Sequence, residues 1–495
     1  MHSDIRVHEG GRARTRAAIS RTLSNEKLVF ILALTALTLL RLGAGAASPL
    51  TEDEAYYRLW SLRPDFGYFD HPPMIAWWIW LGRRLVGDTA LGVRLAPVIG
   101  CALTSLLTVD LARLAGASRT SAWRAGLWLN ATILIGLGGM LAVPDAPNTL
   151  FWTAAVWCAF KARDGDSRWW LACGAAAGLA CLSKYSALFL APGLVLWLSL
   201  DPVGRRELRR PWPWLGALLA LLLFAPNVAW NAAHHWATFD KQFGRVRADG
   251  LAPQHLPELI VEQFLLLNPL IAAFLVRATR RRDLRALLAI TAPFTAYLLV
   301  HSLHASVQGQ WPAPLYPIWV IAAAQAADGV MSPWWRRARA VAVGFGVVAV
   351  SAAIAFVLAP LDGRVPVFDP AAPLRGWPAF AADVEQARRQ AGASWIGATS
   401  YGLTAQLAAT VRDAPAVEIR ERARYSFEQP TDRADFQSPG LVVDRTDRLS
   451  SAALKRCFRV VEALPDLHRG RSASGTRYAA YRVALPLRDV ERSGC

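Results

Sequence analysis

Apolar stretches recur along the chain more often than a globular core requires. The first, residues 28–50, is interrupted by one charge, Arg41. Others lie near 92–112, 121–142, 148–160, 169–183, 187–200, 213–230, 259–276, 284–302, 313–330 and 338–360. About 20 apolar residues in a helix cross the hydrocarbon layer of a bilayer. The pattern therefore predicts an α-helical polytopic membrane protein with about 11 transmembrane helices, 148–160 and 187–200 being the shortest. No cleavage-site pattern precedes the first stretch, which is expected to be retained as a helix. Near residue 360 the pattern changes. Residues 361–495 are charged, with apolar runs at 394–398, 440–443 and 478–484 between helix-like stretches at 381–391 and 403–411. That alternation predicts a small C-terminal α/β domain. Three regions follow: a basic N-terminus (1–27), a membrane region (28–360) and the C-terminal domain (361–495).

Composition narrows the class. Of 495 residues, 54% are hydrophobic and 18% charged, which excludes a disordered chain. Six cysteines are too few for a disulfide scaffold of this length. Cys101, Cys158, Cys173 and Cys181 fall in spans and read as packing residues, whereas Cys457 and Cys495 lie in the tail, where a disulfide is permitted. No Cys/His cluster has metal-site spacing. The net charge of +17 is compatible at first with a nucleic-acid partner. Its distribution is not. With residues 1–27 inside, the loops 113–124, 161–168, 201–210, 277–285 and 336–339 carry 18 Lys and Arg. The outer segments 51–94, 234–260 and 301–316 carry 8. This is the positive-inside asymmetry: the charge is an orientation signal, the N-terminus is expected in the cytoplasm, and residues 361–495 are expected outside.

The spans are nearly free of charge, and the remaining polar residues collect in loops assigned to the outer face. In TEDEAYYRLW (51–60), Glu52 suits a helix start and Glu54 is expected to pair with Arg58 at i,i+4. Asp53 needs no such role and is the candidate general base. In GYFDHPPMIAWW (67–78), Asp70 suits a helix N-cap, the tryptophans suit an interfacial helix, and His71 is a candidate anion contact. Asp145, in VPDAPN (143–148), is either a turn former or a second carboxylate of the site. Lys184, between two apolar runs, either snorkels or holds an anion. Lys241 and Arg245, four apart, could present paired cations to a phosphate. The adjacent His234 and His235 do not share a helix face and are read as solvated. Interfacial helices are expected within 51–90 and 232–256. QGQWPAPLYP (308–317) reads as a wall, with Trp311 and Tyr316 available for stacking.

Taken in order, DEAYYRLWS (53–61), YFDHPPMIAW (68–77), PDAP (144–147), LSKYSAL (182–188), PNVAWN (226–231) and QWPAPLYP (310–317) resemble a bacterial branch of the dolichyl-phosphate-mannose–protein mannosyltransferase superfamily. This branch includes rhizobial galacturonic-acid transferases and, more distantly, the lipid A aminoarabinose transferase. The resemblance covers about residues 28–330; the tail carries little of it. It implies a GT-C fold in the bacterial inner membrane, with the site on the extracytoplasmic face. It implies an inverting hexosyl- or pentosyltransferase, using a polyprenyl-monophosphate sugar donor and a glycolipid, polysaccharide or protein acceptor. On this resemblance Asp53 falls on the aspartate taken to activate the acceptor and Asp145 on a second acid. His71, Lys184, Arg245 and Lys241 are placed to bind donor phosphate, while Glu54, Tyr57, Asp70, Trp311 and Tyr316 would line the substrate. Histidine stands at position 71 where the aminoarabinose transferase has lysine, so phosphate contact there becomes pH-dependent. No cofactor is required, and the ligand set for a divalent metal at Asp70 does not carry over. Two other classes remain in view: a lipid-linked-sugar flippase, which would need polar groups inside the spans, and a scaffold presenting the tail domain.

Overall fold

A computed structural model describes residues 4–244, 250–358, 374–411, 413–428, 435–470 and 475–487. Each apolar stretch emerges as a helix or as a broken pair of helices. α1 (Asp4–Ala47) leads into the outer segment with α2 (Glu52–Leu62) and α3 (Met74–Val86). Then come α4 (Ala90–Leu114), α5 (Arg119–Ala131), α6 (Ile133–Gly138), α7 (Asp145–Asp164) and α8 (Trp169–Cys181). A 3-10 turn at Tyr185–Phe189 precedes α9 (Leu190–Ser199), followed by α10 (Pro202–Glu207), α11 (Pro211–Ala233) and α12 (Ala237–Gly244). The region closes with α13 (His255–Leu266), α14 (Pro269–Thr279), α15 (Arg285–Ala289), α16 (Ala292–His301), α17 (Tyr316–Ala326) and α18 (Pro333–Leu358).

Among the described residues, four helices are long and apolar enough to cross a membrane, or six if each of two bent pairs is one span. The pair α13–α14 bends by 112°, and the pair formed by 282–289 and 292–301 by 73°. The break before α14 is at Asn268, which takes φ 75° and caps α14 by accepting from Leu270 N–H. Its amide also donates to the carbonyls of Ala131 and Ala342. The predicted span 121–142 is likewise interrupted, at Thr132, whose hydroxyl accepts from Ile135 N–H to start α6. An interruption at membrane depth needs internal partners for the carbonyls it frees. The Thr132 hydroxyl takes the Leu129 carbonyl and Asn268 that of Ala131, while Arg41 serves the far end of α6. Fully buried, it donates to the carbonyls of Gly136 and Ile135 and to Asn130 Oδ1.

Lipid-facing surface is evident on the outer helices, where leucines and valines such as Val348 (69% exposed) point away from the protein. Inside, α8 and α11 approach closely. A Cβ on Gly174 would collide with the Gly216 carbonyl, and one on Gly178 would lie 2.9 Å from Leu223 Cβ. Gly174 and Gly178 stand four apart, as do Gly216 and Ala220 opposite, the small-residue spacing that lets membrane helices meet. At one end of the bundle the basic loops converge on the C-terminus of α17. Arg124 pairs with Asp328 at 2.7 Å, and Arg277, Arg281 and Arg339 donate to the carbonyls of Ala326, Gln325 and Ala327.

The C-terminal residues form a five-stranded sheet in the order β2-β1-β3-β5-β4. β1 (Trp395–Ala398) lies parallel to β2 (Ala416–Glu418) and β3 (Gly440–Arg445); β5 (Thr476–Pro486) runs antiparallel to β3 and to β4 (Phe458–Arg469). Helices α19 (Trp377–Gln390) and α20 (Tyr401–Thr410) pack on one face through Phe380, Val384, Leu403 and Leu407, and a short α21 (Ser451–Leu454) precedes β4. The runs read from sequence at 394–398, 440–443 and 478–484 correspond to β1, β3 and β5. Cys457 is held in a disulfide, and Cys495 lies outside the described residues.

Candidate active site

The first loop is built around one buried ion pair. Thr51 and Glu54 form a reciprocal capping box: the Thr51 hydroxyl accepts from Glu54 N–H, and Glu54 Oε2 from Thr51 N–H. The T-x-x-E spacing is legible in the sequence. The partner of Glu54 is not. It pairs with Arg94 of α4 at 2.5 Å rather than with Arg58, which turns outward to Asp88. Arg94 also donates to the carbonyls of Gly45, Ser48 and Pro49, tying off the end of α1. Glu54 Oε1 in turn accepts from Ala142 N–H, just ahead of the 143–148 loop. Burial pushes the Glu54 carboxyl up, but Arg94 and these donors outweigh it and hold it below its usual range. Glu54 is therefore a fully buried fastener between α1, α2, α4 and the Asp145 loop, and, contrary to expectation, it does not line the cavity.

That fastener places two carboxylates at one cavity of about 320 Å³. Asp53, next to Glu54, and Asp145, the first residue of α7, both line it, together with Thr51, Thr104, Thr149 and Gln310. Lys184 Nζ donates to Asp145 Oδ1 at 2.7 Å, and its ammonium lies 5.9 Å from the Trp311 ring centre. Lys184 thus neither snorkels nor stands apart: it holds the second acid of the site. Tyr57 is buried, and its phenol is held well above its ordinary value by burial and then by Asp53, Asp70 and Asp145. Its hydroxyl remains protonated among three carboxylates.

Asp70 is not a helix cap: the residue before α3 is Pro73, and no side chain caps it. Asp70 is buried, 3.1 Å from the Tyr56 hydroxyl and 3.3 Å from the Arg424 guanidinium. His71 is half-buried, with its ring 6.2 Å from that of Tyr57. α12 packs over this segment: Thr238 donates to the Tyr68 carbonyl, Gln242 to the Asp70 carbonyl, and Lys241 lies 5.8 Å from the Phe69 ring centre. Lys241 thus lies against the segment that carries Asp70 and His71, whereas Arg245 lies outside the described residues. Tyr316 was expected to be available for stacking. It is fully buried, and its hydroxyl donates to Gln263. Among the described residues no group of three or more His, Cys, Asp or Glu is placed to hold a metal ion.

Two residues invisible to the reading of the outer loops come from the C-terminal domain. Tyr401 donates to Asp53 Oδ1 at 2.7 Å, and Arg424 reaches Asp70. The domain is seated closely. A Cβ on Gly402 would lie 2.7 Å from Glu52 Cβ, and Gln406 donates to the Leu50 carbonyl at 2.7 Å.

Residues 70–230 match the family described as dolichyl-phosphate-mannose-protein mannosyltransferase. The lipid A galacturonosyltransferase RgtD of Rhizobium johnstonii is 31% identical over 189 residues, 37% of this chain and 38% of that protein. An undecaprenyl phosphate-alpha-4-amino-4-deoxy-L-arabinose arabinosyl transferase of Pseudomonas aeruginosa is 32% identical over 188 residues, 35% of this chain and 33% of the relative. The chain thus spans about a third of the length of these curated relatives. In fold the likeness runs nearly end to end: ArnT from Cupriavidus metallidurans superposes with a TM-score of 0.62 at 16% identity, covering 92% of this chain and 98% of that one.

Proposed function

We propose that this chain, a membrane protein of GT-C fold distantly similar to ArnT, is an inverting glycosyltransferase. It takes a sugar from a polyprenyl-monophosphate donor and passes it to a glycolipid, polysaccharide or protein on the extracytoplasmic face of the bacterial inner membrane. The observation that carries this reading is the pair of carboxylates, Asp53 and Asp145, on one cavity, the second held by Lys184. The relatives' names narrow the donor and acceptor: an undecaprenyl phosphate sugar in one case, lipid A in the other.

In the proposed step the acceptor hydroxyl attacks the anomeric carbon. The new C–O bond forms as the bond from that carbon to the phosphate oxygen breaks. The polyprenyl phosphate departs with the electron pair, and the hydroxyl proton passes to Asp53. The leaving group gains negative charge, which fixed cations near it stabilise. Lys184 holds Asp145, and Lys241 (against Phe69), His71 (against Tyr57) and Arg245 are proposed as the further phosphate contacts. Gln310 borders the same cavity, and the Trp311 ring centre lies 5.9 Å from the Lys184 ammonium. The flippase alternative is not favoured: Arg41 and Arg94, both fully buried within spans, are committed to backbone carbonyls and to Glu54.

Asp53→Asn tests the base directly. Full-length protein in lipid nanodiscs, supplied with polyprenyl-phosphate sugars and envelope glycolipids, should lose about 100-fold or more in transfer rate, within the ~10²–10⁴ range for general-base catalysis. Full activity in this variant would remove Asp53 from that role.

A further inference from the structure

The contact between Tyr401 and Asp53 joins residues 348 positions apart and crosses from the C-terminal domain to the first outer loop. Tyr401 is held on several sides. Its backbone N–H donates to Glu421 Oε2 at 3.1 Å, and its carbonyl accepts from the Tyr425 hydroxyl at 2.7 Å. Its ring stands edge-on to Tyr56 at 5.0 Å and lies 4.0 Å beneath the Arg424 guanidinium. Arg424 is itself anchored by Asp70 and Glu421, each at 3.3 Å, and the Tyr56 hydroxyl donates to the Arg424 carbonyl at 2.7 Å. Burial and the adjacent Asp53 raise the Tyr401 phenol, so at neutral pH it is a donor with no charge of its own.

A carboxylate on a short stem turns about its last torsion with little resistance. A donor fixed on one oxygen stops that rotation and leaves the other oxygen presented to an incoming hydroxyl. Groups that take a proton in a transition state gain rate from being held in this way. We infer that Tyr401 is a positioning residue for Asp53, clamped by Arg424, and that the C-terminal domain thereby completes the catalytic site. This rests on Asp53 being the base, as proposed above.

The test uses full-length protein in nanodiscs with a polyprenyl-phosphate sugar and measures kcat, donor KM and melting temperature for the wild type and for Tyr401→Phe. Phenylalanine keeps the ring contacts and removes only the hydroxyl. The expected result is a 10- to 100-fold fall in kcat, with donor KM within twofold and melting temperature within 1 °C of the wild type. Arg424→Ala should lower kcat in the same direction. A Tyr401→Phe enzyme with unchanged or raised kcat overturns the inference, as does a loss carried by KM or by melting temperature. A wild type that transfers no sugar from any polyprenyl-phosphate donor fails differently: it removes the proposed function itself.

Discussion

At the scale of single residues, burial decides which charged groups serve chemistry and which hold the structure. Glu54 and Asp53 are neighbours, yet one is sealed against Arg94 while the other borders the cavity. Nothing in DEAYYRLWS separates them, because the partner that distinguishes them lies 40 residues away on another helix. Asp53 itself was legible as an acid with no local duty. Glu418, at the end of β2, is a third case. It is fully buried, accepts from the Thr404 hydroxyl and from the N–H groups of Arg420 and Glu421, and burial pushes its carboxyl from 4.5 up to about 7. Below about pH 4.5 the folded and unfolded chains both hold this proton. Between about 4.5 and 7 only the folded chain does, so stability falls as pH rises through that window, by at most ~3 kcal/mol. Thermal unfolding of the wild type should show this decline between pH 5 and pH 7.5, and Glu418→Gln should flatten it; an equal decline in both proteins would assign the effect elsewhere.

At the scale of elements, every apolar stretch became helix, but breaks within them were not readable. Thr132 and Asn268 are single polar residues in apolar surroundings, and the freed carbonyls are met locally by the Thr132 hydroxyl and across the fold by the Asn268 amide. Against the roughly 11 spans expected from hydropathy, four helices among the described residues are long and apolar enough to cross, or six with each bent pair as one span. In the tail, β1, β3 and β5 were marked by apolar runs. β4 was not, because most of its positions are only half-buried or exposed. The α8–α11 contact was in the sequence as GAAAG (174–178), a spacing whose meaning depends on which helix faces it. Gly174→Val would drive a branched side chain into the backbone at Gly216. A loss of about 1–3 kcal/mol is expected, read as a lower melting temperature in detergent; a wild-type value would mean that these helices can separate at little cost.

At the scale of the whole molecule, the distribution of charge and the location of the site make one connected statement. Basic loops gather around the end of α17, while Asp53, Asp145 and Lys184 collect with the C-terminal domain. On the positive-inside expectation, the end that bears Asp53 and Asp145 would face out of the cytoplasm. Alkaline phosphatase fused after the C-terminal domain should be active in intact bacteria and β-galactosidase at the same point inactive. The opposite pattern would turn the protein over and bring its site to the cytoplasmic face. The general architecture and the outer-loop acids were accessible from pattern and charge; the contribution of the tail was not, since no local periodicity encodes a contact spanning most of the chain.

The seat of Glu52 against Gly402 has one more implication. In an open α/β sheet with the order 2-1-3, the crevice beyond the carboxyl ends of β1 and β3 is where a guest molecule is ordinarily received. Here Asp444 bridges that mouth to Thr399 and Ser400, and the start of α20 beside it is filled by a side chain from the membrane region. Glu52 against Gly402 and the Gln406 bond to the Leu50 carbonyl seat the domain where Tyr401 meets Asp53.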